Sequence, residues 1–181
     1  MQPIGLLMKE HRLIERMIPL LEKNLKKSEE TQMIYTAFIS VVIDFFKTYV
    51  DKIHHGKEED ILFKSLKKIQ ISTTHKKTLN QLLEDHKISR VIIGEIEDAN
   101  HRYLHGDNSA IHDIQEGLHK IIMLYPCHIE IEDKRFFFPI MDYFTREECD
   151  AMIQKFFDFD KNIIHEYYNH IIEIQEKLWD I

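Results

Sequence analysis

The sequence predicts an all-α protein, an up-down-up-down four-helix bundle with additional C-terminal helices. Three observations carry this. Apolar residues recur at helical spacing almost throughout the chain. Five glycines and four prolines in 181 residues are too few for a turn-rich β fold. No stretch alternates with the period of two that a half-buried strand requires. The length suits one domain, so residues 1–181 read as a single unit. The bundle occupies about 3–142 and a helical extension about 145–179.

The first helix opens at Pro3, a favoured first-turn residue. It carries Ile4, Leu7, Met8, Ile14, Ile18 and Leu21 on one face and ends in the polar run 26–30. The second runs from near Thr31 to about Lys68, with Phe38, Val42, Phe46, Val50, Ile61 and Leu62 on one side. Residues 69–74 form a serine- and threonine-rich connector able to cap a third helix. That helix carries Leu79, Leu82, Leu83, Ile93 and Ile96 and stops at the His105-Gly106-Asp107-Asn108 turn. The fourth runs from about Ser109 to Met141 with a kink expected at Pro126. Thr145-Arg146-Glu147-Glu148 matches a capping box and opens the tail. A bend over 156–160 precedes a last helix ending near Trp179. Short links between long helices make consecutive ones antiparallel.

Composition excludes several functions. The 31 acidic against 24 basic residues give a net charge of -7; with no basic stripe, this argues against nucleic acid. No apolar run is long enough to span a bilayer, so no membrane partner is expected. Two cysteines are too few for a disulfide scaffold or a thiolate metal site. With no visible signal peptide, they fit a cytoplasmic protein. Cys127 is expected as a packed thiol. The 12 histidines are the unusual feature.

Two segments, His54-His55-Gly56-Lys57-Glu58-Glu59 and His128-Ile129-Glu130-Ile131-Glu132-Asp133, each contain His-x-x-x-Glu, and each has Phe nine residues after the histidine. Residues four apart share a helix face, so an imidazole and a carboxylate point the same way. Alone, such a pair is weak evidence. Here it is part of a repeat: Glu10-His11-Arg12 precedes His54 by 43 residues, and Asp85-His86-Lys87 precedes His128 by 42. At 1.5 Å per residue the four histidines meet within roughly 8 Å of one level. By helical phase His54 and Glu58 point inward, whereas His55 and Glu59 point toward water. Burying four imidazoles and two carboxylates unpaired is costly, and a metal centre resolves that cost. The candidate ligands are His11, His54, Glu58, His86, His128 and Glu132. No nucleophilic catalytic residue stands out. His75, His101, His105, His112, His119 and His170 read as surface residues, and His165 is placed poorly by sequence alone.

Six ligands exceed one tetrahedral zinc site. Two ions sharing the carboxylates fit better, and imidazole with carboxylate suits iron, with zinc or manganese as possible substitutes. Four nitrogens and four oxygens give four donors per ion. An oxo or hydroxo bridge adds a fifth and leaves about one open position on each. A ferritin-type site needs two Glu-x-x-His motifs, and only Glu116-Gly117-Leu118-His119 is present.

The segments LLMKEHRLIERMI, HHGKEEDILF, LLEDHKISR and YPCHIEIEDKRFFFPIMDYF, with the tail FFDFDKNIIHEYY, resemble the hemerythrin-like family, the HHE cation-binding domain. The resemblance spans nearly the whole chain. It implies a di-iron centre inside a four-helix bundle and the same six ligands. Oxygen-carrying members place a second histidine four residues after the third-helix ligand; here that residue is Arg90. In this the chain looks more like the di-iron proteins linked to nitrosative stress and iron–sulfur cluster repair. Glu15, one turn after His11, is expected to support the site or pair with Arg90. The implied function is binding or reduction of a small ligand such as oxygen, nitric oxide or peroxide, with a redox partner that the residues do not identify. The alternative is an iron- or oxygen-sensing or iron-storage module without turnover.

Overall fold

The computed structural model describes residues 2–160 and 162–179. Helices make up 87% of it, and no strand occurs among the described residues. We label the helices α1 (Ile4–Thr31), α2 (residues 36–66), α3 (Thr73–Leu104), α4 (residues 110–141), α5 (Arg146–Phe159) and α6 (Asn162–Trp179).

Most ends fall where local chemistry places them. Pro3, at φ -57°, presets the helical turn that α1 continues. Gln32 adopts the left-handed conformation at φ 53°, and its N–H closes on Ser28 O. Thr31 therefore ends α1 rather than opening α2, which starts at Thr36. Ser72 caps α3 by accepting from the His75 N–H at 3.1 Å. Gly106, at φ 93°, takes the turn after α3, a conformation that costs glycine least. Both hydrogen bonds of the Thr145/Glu148 capping box are present. Helix α5 continues through Phe159, and Asp160 leaves it in an extended conformation at φ -81° and ψ 99°; Lys161 lies outside the described residues. The α-helical stretch of α4 passes through Pro126, and α geometry gives way at Glu132 instead.

Helices α3 and α4 approach closely at Gly117, where a Cβ would collide with the Ile96 side chain. The tail returns over the bundle: α5 meets the lower part of α2, and α6 lies against α1 and the middle of α2. The apolar interior is split in two. One cluster joins Ile14, Met17, Phe38, Phe46, Ile96, Ile114 and Tyr125; the other joins Ile4, Leu7, Leu62, Phe63, Phe136 and Phe156. His11, His54, His86 and His128 form a buried polar layer between them.

Parts of α2 and α4 are π-helical. In α2 these are Phe45–His55 and Glu58–Phe63; in α4 it is Glu132–Phe136. The Gly56 N–H reaches Asp51 O and the Phe137 N–H reaches Glu132 O, both five residues back. Such wider turns are rare and occur often at functional sites. In α1 and α3, which each give one histidine to the layer, α geometry runs throughout.

Candidate metal centre

The six residues expected as ligands converge in the polar layer. His11 comes from α1, His54 and Glu58 from α2, His86 from α3, and His128 and Glu132 from α4. All six are buried, and both glutamates are fully so. The imidazoles face each other through Nε2: His11 to His54 at 3.0 Å, and His86 to His128 at 3.3 Å. Glu58 lies between the two pairs, with Oε1 3.5 Å from His54 Nε2 and Oε2 3.4 Å from His86 Nε2. Glu132 Oε2 lies 3.2 Å from both His11 Nε2 and His128 Nε2. Each carboxylate thus touches both imidazole pairs.

These contacts fall outside hydrogen-bond geometry. All four carboxylate oxygens of Glu58 and Glu132 are buried without a hydrogen-bond partner. Native proteins seldom leave such atoms unmatched, and each has a cost. The donor set fits metal ions: four inward nitrogens and four unsatisfied oxygens, with no thiolate. His11, His54, Glu58 and Glu132 bring ligand atoms within 4.8 Å of one another, as do His55, His86 and His128.

The outward nitrogens are held just as consistently. His11 Nδ1 meets Asp133 Oδ1 at 2.7 Å, His54 Nδ1 meets Glu10 Oε2 at 2.9 Å, His86 Nδ1 meets Glu59 Oε1 at 2.8 Å, and His128 Nδ1 meets Asp85 Oδ2 at 3.3 Å. Imidazoles that bind metal usually give the second nitrogen to a carboxylate, which fixes the tautomer and raises ligand basicity. Three of these carboxylates have their own cation: Arg12 for Asp133, Arg90 for Glu59 and Lys57 for Glu10. Phe63 and Phe137 stack on His86 and His11, at ring centroid distances of 6.1 and 5.7 Å.

The carboxylates that hold the imidazoles were missed by sequence reasoning, although the repeat contained them. Each acid lies on a neighbouring helix. Glu10, beside His11 in sequence, holds His54, and Asp85, beside His86, holds His128. Glu59 and Asp133, five residues after His54 and His128, hold His86 and His11. The doublets Glu58-Glu59 and Glu132-Asp133 were the visible signal.

Several expectations need correction. His55 does not face water: it is 1% exposed, with its ring stacked on His86 at 3.7 Å. Glu59 is half-buried and bonded to His86. Helical phase assumed 100° per residue, but over the π-helical run Phe45–His55 each residue advances less, and the accumulated shift turns His55 inward as well as His54. Glu15 supports no ligand. It pairs with Arg12 at 3.2 Å, while Arg90 holds Asp51 and Glu59, both at 2.6 Å. Cys127 is an exposed thiol, not a packed one. His165 lies beside Glu10 and Asp160, where Lys57 already supplies the cation. Of the histidines expected at the surface, His101, His105, His112, His119 and His170 are exposed, and His75 is half-buried against Tyr143.

Charge is unevenly distributed without a metal. Burial raises the Glu58 pKa well above the usual carboxylate range, and the charges of Glu132 and Glu10 add to this. Burial acts the same way on Glu132, but His128 and His11 outweigh it and hold that carboxyl well below the range. Burial lowers His54 to about 4 despite Glu10. For His128 burial is outweighed by Glu132 and Asp85, and its pKa rises to about 9.

The hemerythrin HHE cation-binding domain model matches residues 2–137, three quarters of the chain. The chain belongs to the hemerythrin HHE family. The match runs from α1 into the last turns of α4 and includes all six converging residues. No curated protein and no solved structure matches the chain. As an HHE domain it is a cation-binding helical bundle. No helix among the described residues is long and apolar enough to cross a membrane.

Proposed function

We propose that this HHE domain is a non-haem di-iron protein that binds or reduces a small ligand: oxygen, nitric oxide or peroxide. The observation that carries the reading is the set of four unpartnered carboxylate oxygens lying among four imidazole Nε2 atoms. One ion would take His11 and His54, the other His86 and His128, with Glu58 and Glu132 shared. Iron held this way supplies a redox couple and open coordination positions.

The protein's own part is to hold and exclude. Four carboxylates keep each imidazole in the tautomer that presents Nε2 inward. Phe63, Phe137 and the apolar clusters on either side exclude bulk water, which favours small neutral ligands over charged ones. The test is anaerobic reconstitution followed by stopped-flow mixing of the reduced protein with oxygen, nitric oxide and peroxide separately. About two irons per chain and a fast spectral change with at least one ligand are expected. Fewer than two irons per chain, with the fold intact, removes the reading.

A second reading, sensing through the tail, is favoured by one contact chain. His54 is bonded to Glu10, Glu10 to buried Lys57, and Lys57 Nζ to Asp160 Oδ1 at 2.6 Å, where α5 ends. Turnover separates the two: catalytic loss of nitric oxide or peroxide marks an enzyme, and a stoichiometric, reversible response marks a sensor or store.

A further inference from the structure

We propose that His55 is a fifth imidazole of this centre, binding the same ion as His86 and His128. The proposal rests on the two-metal reading above.

His55 is built like the other four histidines. It is buried, and its Nδ1 points at a carboxylate, Asp51 Oδ1, at 3.4 Å. That carboxylate accepts from Arg90 Nε at 2.6 Å. The same guanidinium donates through its other arm to Glu59, which holds His86 Nδ1. One arginine thus fixes two carboxylates, and each stands behind one of two parallel rings, His55 and His86, 12° apart in plane. Ligand nitrogens of His55, His86 and His128 lie within 4.8 Å of one another. The Nδ1–Asp51 contact is the longest of the five, so this ring is the freest to slide along the stack to a bonding distance near 2.1 Å.

The fold does not require a histidine at this place. The two halves of the bundle align as His11 with His86, His54 with His128, and Glu58 with Glu132; in that alignment Ile129 stands opposite His55. Ile129 is equally buried and belongs to the apolar core. His55 is therefore an imidazole added to one half only. With it, one ion has three nitrogens, two carboxylate oxygens and a shared bridge, which completes six positions. The other, on His11 and His54, has five donors and retains the open place. Small ligands would then bind on the α1/α2 side alone.

The test compares wild type with His55→Ile, the residue of the other half, and His55→Gln. Iron content and the Mössbauer spectrum are the readouts, with circular dichroism as the check on folding. Wild type should hold two irons giving two unequal doublets. Both variants should keep their helicity, bind one of the irons at least about tenfold more weakly, and change one doublet only. Two irons in wild type, with the same doublets and affinity in both variants, would overturn the assignment of His55 while leaving the di-iron reading intact. A wild type that binds fewer than two irons overturns both. Should neither variant fold, a crystal structure of iron-loaded wild type decides: a His55 nitrogen bonded to iron supports the proposal, and one more than about 3 Å away overturns it.

Discussion

The two helical hairpins of the bundle carry the same set of polar residues but not the same charge. Each supplies an acid and a histidine from its first helix, then a histidine, a glutamate and a second acid from the next. Yet Glu58, between His54 and His86, is pushed toward its neutral form, while Glu132, between His11 and His128, is held ionised. Two carboxylates this close cannot both stay charged in a buried layer without cations. The hairpins also depart from the repeat between the histidine and the glutamate: His55 stands against Ile129, and Lys57 against Ile131. The repeat builds a symmetric cage, and the departures from it make the two sides unequal. Two bound cations would restore the charge on Glu58, so the comparison is strongest in the metal-free protein.

The largest effect expected is the removal of metal itself. Ligand that binds only the folded state stabilises it by about 4 kcal/mol at a free concentration of a thousand times Kd. Chelation should lower the melting temperature by many degrees, and replacing His54 and His128 together with alanine should abolish both iron binding and the chelator effect. Calorimetry with and without chelator checks this; unchanged metal content in the double variant would refute it.

The next effect separates the glutamates. In metal-free protein Glu132→Gln removes the anion that His11 and His128 share, and breaking a buried pair costs about 3 kcal/mol. Glu58→Gln replaces a group already pushed toward its neutral form and should cost about 1 kcal/mol or less. Urea denaturation of the two metal-free variants should rank them in that order. Both should lose iron equally when reconstituted, so the two glutamates differ without metal and behave alike with it.

A pH profile tests the same asymmetry. The His128 pKa is raised to about 9 from an ordinary 6.5. A raised histidine contributes stability that is fully present below the unfolded value and lost as pH climbs to the folded one. Metal-free protein should therefore lose stability between pH 6.5 and 9, and Glu132→Gln should flatten that slope. A slope that persists in the variant would assign it to another group.

Much of this was legible in the sequence because the pattern is periodic. Helical spacing placed the four long helices, and the intervals of 43 and 42 residues brought His11 to His54 and His86 to His128. His55 was not legible for a physical reason. Phase arguments assume 3.6 residues per turn, and α2 departs from that value over Phe45–His55. The partners of Arg90 were hidden by the same error, since Asp51 and Glu59 had been turned toward water with His55. Asp133 and Glu10 failed differently: they act across helices, and a one-helix argument cannot pair residues 122 and 44 positions apart.

The smallest effect concerns the outer carboxylates, where His11 of the first hairpin and His128 of the second are held with different strength rather than in a different way. Asp133 sits 2.7 Å from His11 and is held by Arg12, whereas Asp85 sits 3.3 Å from His128 with its side chain 17% exposed. Removing such a partner typically lowers metal affinity by about 10–100-fold. Asp133→Asn should fall in that range. An asparagine still accepts through its oxygen, but it carries no charge to raise the basicity of the imidazole or to hold Arg12. Asp85→Asn should cost less than about tenfold, because a longer, partly solvated contact contributes less to orientation and charge. Competitive iron titration of the two variants measures the difference. Equal losses would mean that the tautomer of the imidazole, and not the strength of the contact behind it, sets how tightly the centre holds its metal.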